Sequence, residues 1–227
     1  STDMITWREQ PIAIYPDSLG TIFSGSAVVD ISNSSGFGEV SNAAPVVAIY
    51  TNNLDKGDNN VTQSQSIAYS NDEGMTFTKY KDNPVIENPN KKDFRDPKVT
   101  WDEDRNKCVM VLAAGDKIMF YESKDLKDWK LLSDFGQGIG GHGGVWECPD
   151  FFKLPILGTD ESKWVLFVSI NPGGPNGGSA TQYVIGDFDG KKFTIDKEFE
   201  ESLNKEHNYW VDFGKDNYAG VSWSNAR

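Results

Sequence analysis

Short runs of β-branched and aromatic residues recur along this chain, each closed by glycine, proline or acidic turn residues. Gly25–Asp30 (GSAVVD), Pro45–Tyr50 (PVVAIY), Cys108–Ala113 (CVMVLA), Lys163–Ser169 (KWVLFVS) and Gln182–Gly186 (QYVIG) have the length and composition of strands. The clearest i, i+4 pattern lies near Glu200–Glu206. Being short and polar, it reads as a loop or a single helical turn.

The strands come in a repeat. Ser66–Tyr80 (SIAYSNDEGMTFTKY), Ile118–Leu132 (IMFYESKDLKDWKLL) and Tyr183–Asp196 (YVIGDFDGKKFTID) each run strand, acidic turn, aromatic, second strand. Phe77, Trp129 and Phe193 mark the copies, and Trp7 marks the end of an earlier one. The successive spacings are 70, 52 and 64 residues. A period this long, with about four strands per copy, predicts a β-propeller. A β-sandwich with look-alike hairpins is the alternative. On the propeller reading the blades cover 24–82, 94–135 and 145–199. Residues 1–14 form the outer strand of a preceding blade. Residues 208–227, with a strand at Ala219–Ser224, begin a following one. The expectation is one all-β domain over 1–227, an incomplete propeller that begins and stops mid-blade.

Composition narrows the chemistry. The formal charge is −12 and the sequence pI about 4.6. Nucleic acid is bound by clustered Lys and Arg, which are absent here, and an anionic membrane asks for the same. No run approaches the ~18 apolar residues of a spanning helix. Cys108 and Cys148, His142 and His207 are the only cysteines and histidines. They are too few for a disulfide framework or a zinc site of about four ligands, and they speak against a Ser-His-Asp triad. Chemistry falls to carboxylates, Arg, Trp and backbone.

The informative segments precede the first strand of each copy: Phe23-Ser24-Gly25-Ser26, Phe94-Arg95-Asp96-Pro97, Trp146-Glu147-Cys148-Pro149 and Asp212-Phe213-Gly214-Lys215-Asp216. In a propeller such places converge on one mouth of the central channel, which gathers Arg95, Asp96 and Glu147. Paired carboxylates in a pocket are what glycosidic cleavage needs: one protonates the leaving oxygen, another attacks or stabilises the oxocarbenium-like transition state. Trp146 beside Glu147 is expected to desolvate that carboxyl and favour its protonated form. Each residue also has a plainer reading. Arg-Asp-Pro suits a turn held by an ion pair, and Glu147 suits a solvated surface. Cys148 suits a small buried side chain. Ser24 and Ser26 lack a full G-x-S-x-G elbow. Ser70–Phe77 resembles the Asp-box turn of sialidases, a hairpin motif without chemistry.

Together, FSGSAVVD, SIAYSNDEGMTFTKY, FRDPKV, LKDWKLLSDFG, WECPDFF, WVLFVSINPGGP, TQYVIGDFDG and DFGKDNYAGVSWSN resemble, in order, the blocks of glycoside hydrolase family 32, the β-fructofuranosidases. The resemblance implies a five-bladed β-propeller followed by a β-sandwich, with this chain covering about blades two to four and edges of blades one and five. It implies retaining hydrolysis of β-fructosidic bonds in levan, inulin or sucrose, without metal or organic cofactor. Carried over by motif, Glu147 is the general acid/base, and Asp96 stabilises the transition state through fructose hydroxyls. Arg95 holds the carboxylates. Phe23 and Ser24 contact the fructosyl ring, with Trp146 and Asp216 as further candidates. The family's nucleophile is an aspartate in a W-M-N-D-P-N-G block, which these residues do not contain. The resemblance therefore implies very low activity for this chain alone. Two open sheet edges should pair with missing segments of the parent chain or with other copies. Polymeric substrate places the parent outside the cytoplasm, extracellular or periplasmic. A non-catalytic glycan-binding propeller and a five-bladed arabinan hydrolase are the competing readings.

Overall fold

The computed structural model describes residues 1, 3–39, 43–58, 60–206 and 209–224. Among these, three four-stranded antiparallel sheets carry the architecture, each an up-and-down meander in chain order. The first holds β1 (Thr21–Val29), β2 (Val46–Asp55), β3 (Val61–Ser70) and β4 (Thr78–Lys79). The second holds β5 (Phe94–Asp102), β6 (Lys107–Ala114), β7 (Ile118–Ser123) and β8 (Lys130–Phe135). The third holds β9 (Val145–Pro155), β10 (Ser162–Asn171), β11 (Ala180–Phe188) and β12 (Phe193–Ile195).

Three of the five strands read from composition lie within these elements, and the other two, Gly25–Asp30 and Pro45–Tyr50, overrun β1 and β2 by one residue each. The repeat has a physical basis too. Each copy supplies the third and fourth strands of a sheet, and an aspartate ties the turn between them in the first two. Asp72 Oδ1 accepts from Ser70 Oγ at 2.7 Å and the Thr76 amide at 2.9 Å. Asp125 Oδ1 accepts from Ser123 Oγ at 3.1 Å and the Asp128 amide at 2.9 Å.

The sheets meet face to face, and β6 shows why. Its apolar run is pleated, so successive side chains leave on opposite faces. Val109, Val111 and Ala113 join Phe120, Phe151, Trp164, Phe188 and Phe193 in a core between the second and third sheets. Cys108, Met110 and Leu112 join Val47, Ile49, Ile67 and Val99 in a core between the first and second. A strand buried on both faces reads as a continuous apolar run rather than an alternation. The first strands of the three sheets, β1, β5 and β9, lie next to one another. Side chains stitch them together: the Val99 amide donates to Ser26 Oγ at 3.0 Å, and Thr100 Oγ1 donates to the Phe151 carbonyl at 2.6 Å.

Two expectations fail at the ends. The segment over Glu200–Glu206 is neither a loop nor a single turn but the last seven residues of a ten-residue helix, α1 (Lys197–Glu206). Asp196 caps it, its Oδ1 accepting from the amides of Glu198 (3.0 Å) and Phe199 (3.2 Å), and Leu203 is buried beneath it. The strands expected at 1–14 and Ala219–Ser224 do not form among the described residues. A strand needs a ladder partner, and no neighbouring strand offers one there. Residues 208 and 225–227 of the expected following blade lie outside the described residues.

Candidate active site

The site is built on a backbone irregularity shared by the three inner strands. Pairing jumps from Ile22↔Asn52 to Gly25↔Tyr50 in the first sheet and from Arg95↔Ala113 to Lys98↔Val111 in the second. In the third it jumps from Glu147↔Ser169 to Asp150↔Phe167. Each time two residues oppose one: Phe23-Ser24, Asp96-Pro97 and Cys148-Pro149. Bulges of this kind re-aim side chains that a regular pleat would send into the core. Asp96 and Cys148 adopt left-handed backbone conformations to form theirs, with φ of 65° and 46°. The ladder therefore equates Phe23 with Asp96 and Cys148, two residues away from the match that the aromatic first letters of the motifs suggest.

Arg95 ties the bulges together. Its Nε and Nη2 donate to Glu147 Oε1 at 3.2 and 2.9 Å, and its Nη1 donates to Asp93 Oδ1 at 2.7 Å. The Tyr218 hydroxyl donates to the other oxygen, Glu147 Oε2. Both Glu147 oxygens are thus held, one by a guanidinium and one by a phenol. Asp96 is buried, and its Oδ2 accepts from the Cys148 amide at 3.0 Å, with the Cys148 thiol at 3.6 Å. Its own amide donates to Thr51 Oγ1 at 3.1 Å.

The electrostatics follow from this packing. Burial pushes the Asp96 carboxyl above its ordinary value; the Cys148 amide and Arg95 oppose the shift, and the charge of Glu147 adds to it. Burial disfavours the Arg95 cation, but hydrogen bonds to Asp93 and Glu147 outweigh it and raise its pKa. Burial and then the neighbouring Asp96 push the Cys148 thiol up to about 12, so no thiolate forms there near neutral pH. Burial, the bond to Glu147 and that residue's charge push Tyr218 upward as well. One residue past the bulges, Lys98 Nζ and Asp150 Oδ1 pair at 3.2 Å, with Asp150 fully buried. The Ser222 carbonyl accepts from Lys98 at 3.0 Å and its amide donates to Asp150, so this pair anchors the C-terminal stretch beside β9.

Arg95, Asp96 and Glu147 come together as the spacing of their motifs requires. Phe23 and Ser24 lie exposed on the neighbouring bulge. Trp146 does not join them. It is 1% exposed, packed in the core between the second and third sheets, with its indole N–H on the Gly141 carbonyl at 2.8 Å. Preceding Glu147 in a strand, its side chain leaves on the opposite side. It neither faces a ligand nor desolvates Glu147 from the pocket side. Asp216 is exposed, forms a backbone bridge with Ser179, and shares no hydrogen bond or ion pair with the central triad among the described residues. Tyr218, two residues on, makes the contact instead. Sequence reasoning passed over Tyr218, Asp93 and Thr51. For Asp93, two residues before Arg95, the spacing was a usable signal. Thr51 in a β-branched run carries none.

The family model for the glycosyl hydrolases family 32 N-terminal domain matches residues 1–227. The chain belongs to glycosyl hydrolase family 32. Within the family, it is 55% identical over 225 residues to a levanase of Bacillus subtilis (strain 168), covering 99% of this chain and 32% of the levanase. It is 44% identical over 248 residues to an extracellular exo-inulinase of Aspergillus ficuum, covering 99% of this chain and 46% of that protein. A solved fructofuranosidase from Schwanniomyces occidentalis complexed with fructose superposes with a TM-score of 0.85 at 44% identity. That match covers 98% of this chain and 42% of the other. The chain therefore spans less than half the length of each. Its three sheets are blades of the propeller of family 32 enzymes.

Proposed function

We propose that the protein containing these blades is a retaining β-fructosidase acting on levan, inulin or sucrose, with Glu147 as general acid/base. The observation that carries this reading is the Arg95 guanidinium held between Glu147 and Asp93, next to a buried Asp96 on the adjoining bulge. Levanase, exo-inulinase and invertase relatives supply the substrate class.

In the proposed cycle Glu147 protonates the glycosidic oxygen as it leaves, then takes a proton from the incoming water. Asp96 accepts hydrogen bonds from fructosyl hydroxyls. Out of water, that carboxylate interacts strongly with the positive charge that develops on the ring. Arg95 fixes where the Glu147 oxygens stand and thereby the angle of proton delivery. The covalent step belongs to a third carboxylate, which by family likeness sits in a W-M-N-D-P-N-G block that these 227 residues do not contain. Protons, one fructosyl group and water account for the reaction without a metal or organic cofactor. Extracellular exo-inulinase relatives support action outside the cell.

The test is fructose release from levan, inulin and sucrose by the full-length protein and its Glu147→Gln variant. A fall of about 10²–10⁴-fold is expected, the usual contribution of a general acid. Equal activity of the two proteins would refute the assignment. Binding without turnover by the intact full-length protein would make it a glycan-binding propeller, and arabinose as product would make it an arabinan hydrolase.

A further inference from the structure

Asp96 sits in a backbone conformation that a side-chain-bearing residue keeps only when its surroundings hold it there. What holds it comes from the neighbouring blade. The Asp96 amide donates to Thr51 Oγ1 at 3.1 Å. The Thr51 hydroxyl donates to Gln65 Oε1 at 2.7 Å, and Gln65 Nε2 donates to the Phe94 carbonyl at 2.9 Å. The chain of bonds leaves β5 at Asp96 and returns to it two residues earlier, at Phe94. Thr51 and Gln65 face each other across β2 and β3, and both are 0% exposed. Gln65 is itself pinned: its amide donates to the Ile86 carbonyl at 2.9 Å, and its carbonyl accepts from the Val85 amide at 2.8 Å. Thr51 is also the residue opposite the Phe23-Ser24 bulge. One threonine thus sits under the bulge of its own blade and grips the bulge of the next.

We propose that Thr51 and Gln65 are positioning residues for Asp96: a buried clip that sets the bulge of one blade from the strands of another, so that the Asp96 carboxylate meets substrate at a fixed angle. The proposal rests on the role given to Asp96 above. The chemistry is selective. The Thr51 oxygen must accept from Asp96 and donate to Gln65 at once, which a hydroxyl does and a methyl of the same shape does not. Thr51→Val keeps the volume and strands two buried polar groups, whereas Thr51→Ser keeps both bonds.

The experiment measures kcat and KM for fructose release by the full-length protein and its T51V, T51S, D96N and T51V/D96N variants, with a thermal melt of each. T51V is expected to lose about tenfold to a hundredfold in kcat, the scale of a misplacement of about 1 Å, and T51S to restore it. In the D96N background T51V should add less than about twofold, because the group it positions is gone. A T51V loss that multiplies with that of D96N, or T51V activity equal to that of T51S, overturns the proposal. D96N at full activity overturns the role of Asp96 instead, so the two failures are distinct. Should T51V not fold, Gln65→Met replaces it in the same cycle. A loss absorbed by D96N supports the clip, and no loss, or a multiplying one, refutes it.

Discussion

Asp96 is where the proposed function and stability pull apart. Its carboxyl is buried, and its pKa is raised above the ordinary 3.8 because burial and the Glu147 charge outweigh the Cys148 amide and Arg95. The sign follows from proton counting. Between 3.8 and the raised value the folded protein keeps a proton that the unfolded chain has released. Stability therefore falls as pH climbs through that window and stays lowered above it. Asp96→Asn keeps the shape and an oxygen acceptor for Cys148 but has no charge to bury. The full-length D96N protein should melt at a higher temperature than the unsubstituted protein at pH 7, while losing activity. Below the ordinary carboxyl value the difference should vanish. A lower melting point for D96N at pH 7 would show that the ionised carboxylate is stabilised overall. The sequence alone singled out Asp96, Arg95 and Glu147, because charged residues repeated at blade spacing leave a visible trace. Thr51, Gln65 and Tyr218 escaped because their roles depend on partners across the sheet or in another blade. Trp146 lies in the core because adjacency along a strand sends it and Glu147 to opposite faces.

Strands and turns were largely legible, for reasons the structure makes physical. Both-face burial turns β6 and β10 into uninterrupted apolar runs, and the Ser-x-Asp turns repeat as a motif because in both the serine hydroxyl donates to the aspartate carboxylate and accepts from the aspartate amide. Helix α1 was misread although its signal was present: Asp196 followed by Lys-Glu-Phe-Glu is a capped, acidic first turn. Its polar surface hid it, since only Phe199 and Leu203 mark the packed side. Removing the cap with Asp196→Ala should cost about 1 kcal/mol, read as an earlier denaturation midpoint. The bulges were not legible at all, since extra backbone residues leave no compositional mark. Gly25 shows how tightly one is drawn: a Cβ there would stand 2.0 Å from the Ile49 carbonyl oxygen on the paired strand. Gly25→Ala must push β1 off β2. It should destabilise by about 1–3 kcal/mol or more, in the range of overpacking, and displace Phe23 and Ser24. A Gly25→Ala protein with unchanged midpoint would mean that β1 yields there without cost.

At the scale of the whole chain, the apolar cores lie between sheets one and two and between sheets two and three. Because neighbouring sheets meet face to face, a ring short of blades leaves the outer faces of its first and last sheets without a neighbouring sheet. The terminal stretches are apolar and exposed. Ile5, Trp7 and Ile12 near one terminus, and Phe213, Val221 and Trp223 near the other, are all more than half exposed, and the rings of Trp7 and Trp223 stand 6.5 Å apart. On the first sheet, both polar atoms of the Asn52 side chain and the Ser66 hydroxyl are buried with no protein hydrogen-bond partner among the described residues. Contiguous exposed apolar surface of this kind drives association. The 227-residue chain expressed alone should therefore associate with rising concentration, which sedimentation velocity between about 1 and 100 μM would show, and should release almost no fructose. The remaining segments of the full-length protein, supplied in trans, should compete with self-association and return activity together. The coupling is the informative part, since one docking event would both cover the apolar faces and bring the third carboxylate opposite Glu147. Suppressed association without activity would mean that the segments dock but do not complete the site. A chain that stays monomeric across that range would mean that its own terminal stretches already cover the faces.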